Sequence, residues 1–314
     1  MPTEPRVPLV VSVPDEEYAA GLADLDGVDV VVWDMVRPHP RGGELRYVVV
    51  PYMSHLRLTD VVPGLDALEA IQLQSAGYES HLAHVPAGVA LCNAAGVHDA
   101  STAELAVALT LASIRRIPEA VAAQRTGFWP PLELGQALAD RRVLVVGYGQ
   151  IGRAIARRLA PFEVTVTAVA TRARAGDEVV DAVHAIEELP DLVASHDVTI
   201  LIVPLTHATR RLVDAALLAR MPDGAVVVNV ARGGVVDTDA LVAECATGRL
   251  RAALDVTDPE PLPPDHPLWR TPGVLITPHV GGATTAMRPR ALALIRRQVV
   301  ALRDGRRLAN VVNA

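Results

Sequence analysis

Three stretches in the second half of the chain carry residues suited to proton transfer and anion binding: Asn229-Val-Ala-Arg232-Gly233-Gly-Val-Val-Asp237, Asp255-Val-Thr-Asp-Pro-Glu260-Pro-Leu262 and Thr277-Pro-His279-Val-Gly281-Gly. Arg232 offers a planar guanidinium that can grip a carboxylate with two parallel N–H bonds and polarise an adjacent carbonyl. Histidine is the side chain that exchanges a proton near neutral pH, which suits His279 to general acid–base work. Glu260 has the chemistry to orient such a ring and stabilise an imidazolium. Each stretch follows a short apolar run, so the three groups are expected at successive strand C-termini. In an open parallel sheet that edge is where ligands sit.

A fourth stretch supplies a partner for that chemistry. Val143-Leu-Val-Val-Gly147-Tyr-Gly149-Gln150-Ile151-Gly152 sets Gly-x-Gly-x-x-Gly between an apolar strand and the start of a helix. There Gly147 allows a tight turn, Gly149 admits the backbone to a pyrophosphate and Gly152 permits close helix–strand packing, while the helix N-terminus attracts the anion. A dinucleotide site is expected. An Asp or Glu about 20 residues on normally holds the ribose 2′-hydroxyl of NAD. The second strand instead ends Ala168-Val-Ala170-Thr171-Arg172-Ala-Arg174. With no acid and two guanidinium forks for a 2′-phosphate, the reading favours NADP(H); NAD(H) is the alternative if these are solvated loop charges.

Positioning these groups requires a ladder of buried strands. Apolar runs at 142–146, 165–170, 198–203, 225–230, 252–256 and 274–276 supply six, enough for a dinucleotide fold. Earlier runs at 28–33, 47–50 and 89–93 alternate with helix-like stretches and form a first, smaller α/β unit. Ser101, with Glu104 three residues later, reads as a capping box opening a helix that reaches about Ala122, and Thr126–Pro131 reads as a linker. The tail from Ala286 to Arg303 reads as a helix with outward arginines.

Composition narrows the chemistry further. Of 314 residues, 29 are basic and every one is arginine. Without lysine there is no Schiff base, no Walker-type phosphate loop and no short-chain dehydrogenase mechanism. A formal charge of −7 argues against nucleic acid as the main partner. Ten aromatic residues leave an aliphatic core, as buried parallel strands prefer. Cys92 and Cys245 stand far apart without metal-type spacing, so neither a disulfide framework nor a metal site is expected, and the setting reads as reduced and cytoplasmic. Glu4, Arg6, Asp15 and Glu16 precede any long apolar run, and no stretch of 18 uncharged apolar residues occurs, so neither a signal peptide nor a membrane span is expected.

Taken together, the cradle at 147–152 and the motifs at 229–237, 255–262 and 277–282 resemble those of the D-isomer-specific 2-hydroxyacid dehydrogenases, along nearly the whole chain. A weaker match is Gln74-Ser-Ala76-Gly77, where the family presents backbone N–H groups to the substrate carboxylate. The resemblance implies two doubly wound parallel-sheet domains: a Rossmann-type nucleotide domain, 101–284, inserted in a smaller flavodoxin-like substrate domain, 1–100 plus 285–314, with a cleft between them. It implies catalysis by Arg232, Glu260 and His279, and substrate contact from Ala76, Gly77, Arg232 and His279. Cofactor contacts fall to Gly147, Gly149, Gln150, Ile151, Gly152, Thr171, Arg172, Arg174, Val203, Pro204, Thr209, Ala231, Asp255 and Gly281. It also implies a homodimer, with the helix after Ser101 at its interface. Within the family, Glu260 stands where formate dehydrogenases carry glutamine, and the phosphite-oxidising branch uses a lysine in the loop that here reads Ser75-Ala76-Gly77. Phosphoglycerate dehydrogenases place arginines in the loop that here reads Tyr52-Met53-Ser54-His55, with Arg57 off register. The stretch Gly152-Arg-Ala-Ile-Ala-Arg-Arg-Leu-Ala-Pro-Phe162 most resembles glyoxylate/hydroxypyruvate reductases, which implies a small unphosphorylated 2-oxo acid. The alternatives are an NAD-dependent 3-phosphoglycerate dehydrogenase-like enzyme and a nucleotide-sensing co-regulator with little turnover.

Overall fold

The computed structural model describes residues 7–54, 56–131 and 135–313. Glu4, Arg6 and His55, named above, lie outside the described residues. The chain divides into two compact units, Met1–His98 with Thr285–Ala314, and Asp99–Thr284. Among the described residues no helix is long and apolar enough to cross a membrane.

The first unit holds five parallel strands: β1 Leu9–Val13, β2 Val28–Val32, β3 Tyr47–Val49, β4 Ala70–Gln72 and β5 Ala90–Cys92, in the order β2-β1-β3-β4-β5. That is the flavodoxin-type 2-1-3-4-5 order. Alternation along β1 sends Leu9, Val11 and Val13 to one face and Val10 to the other, so the strand is buried on both sides. The first face is closed by helix Met287–Arg303, whose Ala291, Leu294, Ile295 and Val299 recur at helical spacing and form one apolar stripe. Two of its arginines face acids instead: Arg288 pairs with Asp15 at 2.9 Å and Arg296 with Asp24 at 2.6 Å.

The second unit holds an eight-stranded sheet made of β6 Arg142–Val146, β7 Thr165–Ala170, β8 Arg174–Ala175, β9 Ala182–Ala185, β10 Val198–Leu201, β11 Val226–Asn229, β12 Arg251–Leu254 and β13 Val274–Ile276. Their order is β13-β12-β11-β10-β6-β7-β9-β8, parallel throughout except for the antiparallel pair β8 and β9. From β9 to β12 this is the Rossmann 3-2-1-4-5-6 order. The expected six strands are present, but β9 adds a seventh parallel member. Its four residues, Ala-Val-His-Ala, bury only Val183 and leave His184 half-exposed, too weak an apolar run to be read as a strand.

Two further expectations are corrected. The helix expected from Ser101 begins at Asp99, so Ser101 lies inside its first turn, 3 % exposed, with its Oγ 2.7 Å from Thr284 Oγ1; it is not an N-cap. Nor does the helix run to Ala122. It stops at Ile114, and a second one, Ile117–Arg125, follows a left-handed Arg116 at φ 56°. Pro118 explains the break, because it lacks an N–H for the carbonyl of Ile114 and its ring clashes with that turn.

Candidate active site

All residues of the cradle and of the Arg–Glu–His set lie in the second unit, on loops that leave the C-terminal ends of its strands. β6 ends at Val146, and Gly147 turns the chain at φ 107°, a left-handed value that side-chain-bearing residues rarely adopt. A Cβ on Gly147 would sit 2.2 Å from the Ile202 carbonyl oxygen, and one on Gly152 would sit 2.0 Å from that of Gly147. Around Gly149 there is nothing within 4 Å. The outer glycines are thus demanded by the protein's own packing, whereas Gly149 keeps space open above the start of helix Gln150–Leu159. That space, beside the unpaired N–H groups of a helix N-terminus, fits the pyrophosphate of a dinucleotide. Exposed Gln150 opens the helix and Ile151 packs back onto the core. Val203 borders Gly147, and Thr209 Oγ1 ties the next turn by donating to the Pro204 carbonyl at 2.6 Å.

Beyond β7, Thr171, Arg172 and Arg174 are all exposed. Arg174 donates from Nη2 to the Tyr148 carbonyl at 2.7 Å, which brings its guanidinium to the cradle itself. Arg172 has no hydrogen bond or ion pair among the described residues. The carboxylate that follows is already committed: Asp177 accepts from Tyr148 Oη at 3.0 Å and from the backbone of Val179, and pairs with Arg153. From Thr171 to Asp177 the chain therefore presents two cations and one acid that is already engaged.

Asn229 ends β11, 1 % exposed. Its Oδ1 accepts from Ala231 N and its Nδ2 donates to the Arg232 carbonyl, both at 3.0 Å, so one buried amide fixes the turn that delivers the arginine. Half-buried Arg232 is extended at φ −147° and donates from Nη1 to the Ala231 carbonyl at 2.6 Å. Next to it, a Cβ on Gly233 would fall 1.9 Å from the Thr257 carbonyl oxygen, so this loop lies hard against the segment that leads to Glu260. Gly233→Ala is expected to lower both Tm and kcat/KM, at a cost of about 1–3 kcal/mol for the forced shift; a thermal unfolding curve that stays unchanged would show that the 257–258 backbone simply yields.

Asp255 follows β12 and organises the histidine loop. It is 3 % exposed, and its carboxylate accepts from Thr277 Oγ1 at 2.6 Å, Val280 N at 2.9 Å and Gly281 N at 2.9 Å, while its carbonyl accepts from His279 N at 2.8 Å. Donors on both sides of His279 are thereby held, and His279 itself sits at φ 52°. A non-glycine residue keeps that conformation only when its surroundings enforce it. The ring turns to Glu260, with Nδ1 2.5 Å from Oε1. A carboxylate only accepts, so Nδ1 carries the proton and Nε2, which has no partner among the described residues, is left for a substrate. The same hydrogen bond from His279 is the main cause holding the Glu260 carboxyl below its usual range, against a desolvation that opposes it. Glu260 therefore stays a carboxylate wherever His279 works.

The first unit carries the remaining predicted residues in a separate loop. Four consecutive carbonyls there are tied down: Gln74 O by His98 Nε2 at 2.6 Å, Ser75 O by Ala94 N at 2.8 Å, Ala76 O by Asn93 Nδ2 at 2.7 Å and Gly77 O by Ser75 Oγ at 2.7 Å. The N–H groups of Ala76 and Gly77 have no acceptor among the described residues. A loop whose carbonyls are all engaged on one side offers its N–H groups on the other, the arrangement an anion needs. The sequence pointed to Ala76 and Gly77 as candidates, and gave no expectation for the groups that hold the candidate loops, Asn229, Thr277, Asn93 and His98. Only Asn229, two residues before an N–H it could cap, left a signal.

The family model described as "D-isomer specific 2-hydroxyacid dehydrogenase, NAD binding domain" matches residues 107–281. Among curated proteins, the chain is similar to the glyoxylate reductase/hydroxypyruvate reductase of Homo sapiens, 36% identical over 286 residues that cover 87% of either chain. Among solved structures it is similar to a D-isomer specific 2-hydroxyacid dehydrogenase from Xanthobacter autotrophicus Py2 in complex with NADPH and MES, with 29% identity, 98% coverage of each chain and a TM-score of 0.81. An NADPH-dependent glyoxylate/hydroxypyruvate reductase from Sinorhizobium meliloti, in complex with NADP and malonate, matches at 25% identity and a TM-score of 0.79, covering 98% of this chain and 97% of that one.

Proposed function

The chain belongs to the D-isomer specific 2-hydroxyacid dehydrogenase family and is an NAD(P)-dependent oxidoreductase, and we propose that it reduces a small unphosphorylated 2-oxo acid of the glyoxylate or hydroxypyruvate type, with NADPH as the preferred reductant. The observation that carries this reading is the His279–Glu260 pair, which fixes the tautomer and leaves Nε2 to face the reacting oxygen.

A bound nicotinamide supplies the hydride. Arg232 holds the 2-oxo acid through its carboxylate and draws electron density onto the carbonyl oxygen, where negative charge develops. His279 delivers the Nε2 proton to that oxygen as the C–H bond forms, and the carboxylate of Glu260 stabilises the imidazolium that precedes the transfer. In oxidation the same nitrogen takes the hydroxyl proton. Ala76 and Gly77 are assigned to the substrate carboxylate through their N–H groups. Asp255 and Gly281 are assigned to the cofactor side of the loop that carries His279, and Ala231 to the turn before Arg232.

NADP(H) preference rests on Arg174, whose guanidinium reaches the cradle, and on its loop neighbour Arg172, with Asp177 already engaged by Tyr148 and Arg153. The test is a panel of glyoxylate, hydroxypyruvate and pyruvate with NADPH and NADH in parallel, on the wild type and on Arg172→Ala and Arg174→Ala. Each substitution is expected to lower kcat/KM with NADPH by about tenfold and to leave NADH nearly untouched. Equal efficiency of the two cofactors in the wild type would remove the preference, and turnover below ~0.01 per second on all three acids would overturn the substrate class.

A further inference from the structure

We propose that His98 is a positioning residue for substrate, setting both the loop that presents the Ala76 and Gly77 N–H groups and the neighbouring loop through Tyr52; the assignment rests on the substrate reading above. His98 is 5 % exposed in the first unit. Its Nε2 lies 2.6 Å from the Gln74 carbonyl, an acceptor only, so the ring proton is on Nε2 and the imidazole donates. Its Nδ1 is buried without a hydrogen-bond partner, so nothing but Gln74 O and packing orients the ring.

The ring's flat face does the second task. It stacks on Tyr52, with centroids 5.5 Å apart and planes 22° apart. Tyr52 belongs to the loop after β3 in which Met53 is held at φ 54°. Gln74 closes the circuit: its Nε2 donates to the Val50 carbonyl at 3.0 Å and its Oε1 accepts from Tyr18 Oη at 2.5 Å. One histidine thus touches the carbonyl that begins the N–H loop and the aromatic ring of the adjacent loop, whereas Asn93, Ala94 and Ser75 hold only the first. The N–H loop meets the substituent every 2-oxo acid shares, the carboxylate. On the substrate reading, the Tyr52 loop, which adjoins the N–H loop through His98 and through the Gln74–Val50 hydrogen bond, is assigned to the part of the substrate that differs between 2-oxo acids, so His98 couples affinity to selectivity.

The two contacts separate by substitution. His98→Phe keeps a ring under Tyr52 and loses the donor; His98→Gln keeps a donor and loses the ring. With saturating NADPH, His98→Phe is expected to raise KM for glyoxylate and hydroxypyruvate alike by about tenfold, with kcat and the NADPH dissociation constant within about twofold of wild type. His98→Gln is expected to hold the glyoxylate KM within about threefold while the hydroxypyruvate-to-glyoxylate ratio of kcat/KM moves by about fivefold or more. An unchanged KM in His98→Phe overturns the proposal, as does a parallel loss of kcat and cofactor affinity in both variants, which marks a residue that only keeps the unit folded. If the wild type reduces neither acid, the substrate reading fails on its own. The His98 assignment is then read from the dissociation constant of oxalate with NADPH bound, where His98→Phe weakens binding about tenfold if the assignment is right and leaves it unchanged if it is wrong.

Discussion

His279→Ala is expected to lower kcat by about 10³-fold, within the range general acid–base catalysis contributes, and to leave NADPH binding within about twofold of wild type. The two effects part because the ring bonds to Glu260, whereas the cofactor cradle is built from the turn after β6, to which His279 makes no hydrogen bond among the described residues. Removing the imidazole leaves the developing alkoxide without its proton source, while Asp255 still holds Thr277, Val280 and Gly281 in place. Steady-state kinetics and a fluorescence titration of NADPH check both halves; near-normal turnover would take His279 out of the reaction. The pH profile follows from Glu260. Its carboxyl lies below the ordinary value of 4.5 in the folded protein because it accepts from His279. A group with a depressed folded pKa adds stability above its unfolded value and loses it as pH falls through the folded one. That contribution is therefore present at pH 5 and above and disappears only below the usual carboxylate range. Glu260→Gln removes it. In that variant reductase activity is expected to fall below wild type across the pH range, because no carboxylate then orients the ring or stabilises its charge. A profile that superimposes on wild type would deny Glu260 this role.

Arg232→Ala is expected to cost about 10³-fold in kcat/KM for the oxo acid, shown mostly as a raised KM, with cofactor affinity retained. The guanidinium is delivered by a turn that Asn229 fixes through two hydrogen bonds, so the site spends little conformational freedom when substrate arrives. Arg232→Lys makes the sharper comparison. A lysine keeps the charge and loses the planar fork, and it is expected to recover only part of the loss, leaving about 10–10²-fold. Full recovery would mean that charge alone binds the substrate and that bidentate geometry is irrelevant.

How far the sequence could be read depended on whether a residue's task lies along the chain or across it. The cradle glycines and the Arg–Glu–His set were legible because each follows an apolar run with turn residues in register, which is local information. β9 escaped because its burial comes from neighbouring strands and not from its own composition. Ser101 misled for a related reason: a serine followed by a glutamate satisfies the capping pattern, but its hydroxyl is claimed by Thr284, 183 residues away. Pro118 is the local signal for the break after Ile114, set within an alanine-rich stretch that otherwise reads as one helix. The supports of the site are the least legible class. Asp255 reads as one acid in a motif, yet in the fold it gathers three donors from the loop around His279. Nothing in the spacing of 255 and 277–281 announces that, since the pairing depends on β12 and β13 lying side by side.

The first unit is closed by a helix that the ribosome makes only after the whole of the second unit. Leu294, Ile295 and Val299 fill the same core as Leu9, Val11 and Tyr47, with all of Asp99–Thr284 synthesised in between. During translation the nucleotide-binding unit is complete in sequence first, whereas one face of the five-stranded sheet, covered in part by Tyr18 and Leu22, stays incomplete until residue 299 emerges. The unit begun first is thus the one completed second, and until the helix arrives its apolar face is open to other chains.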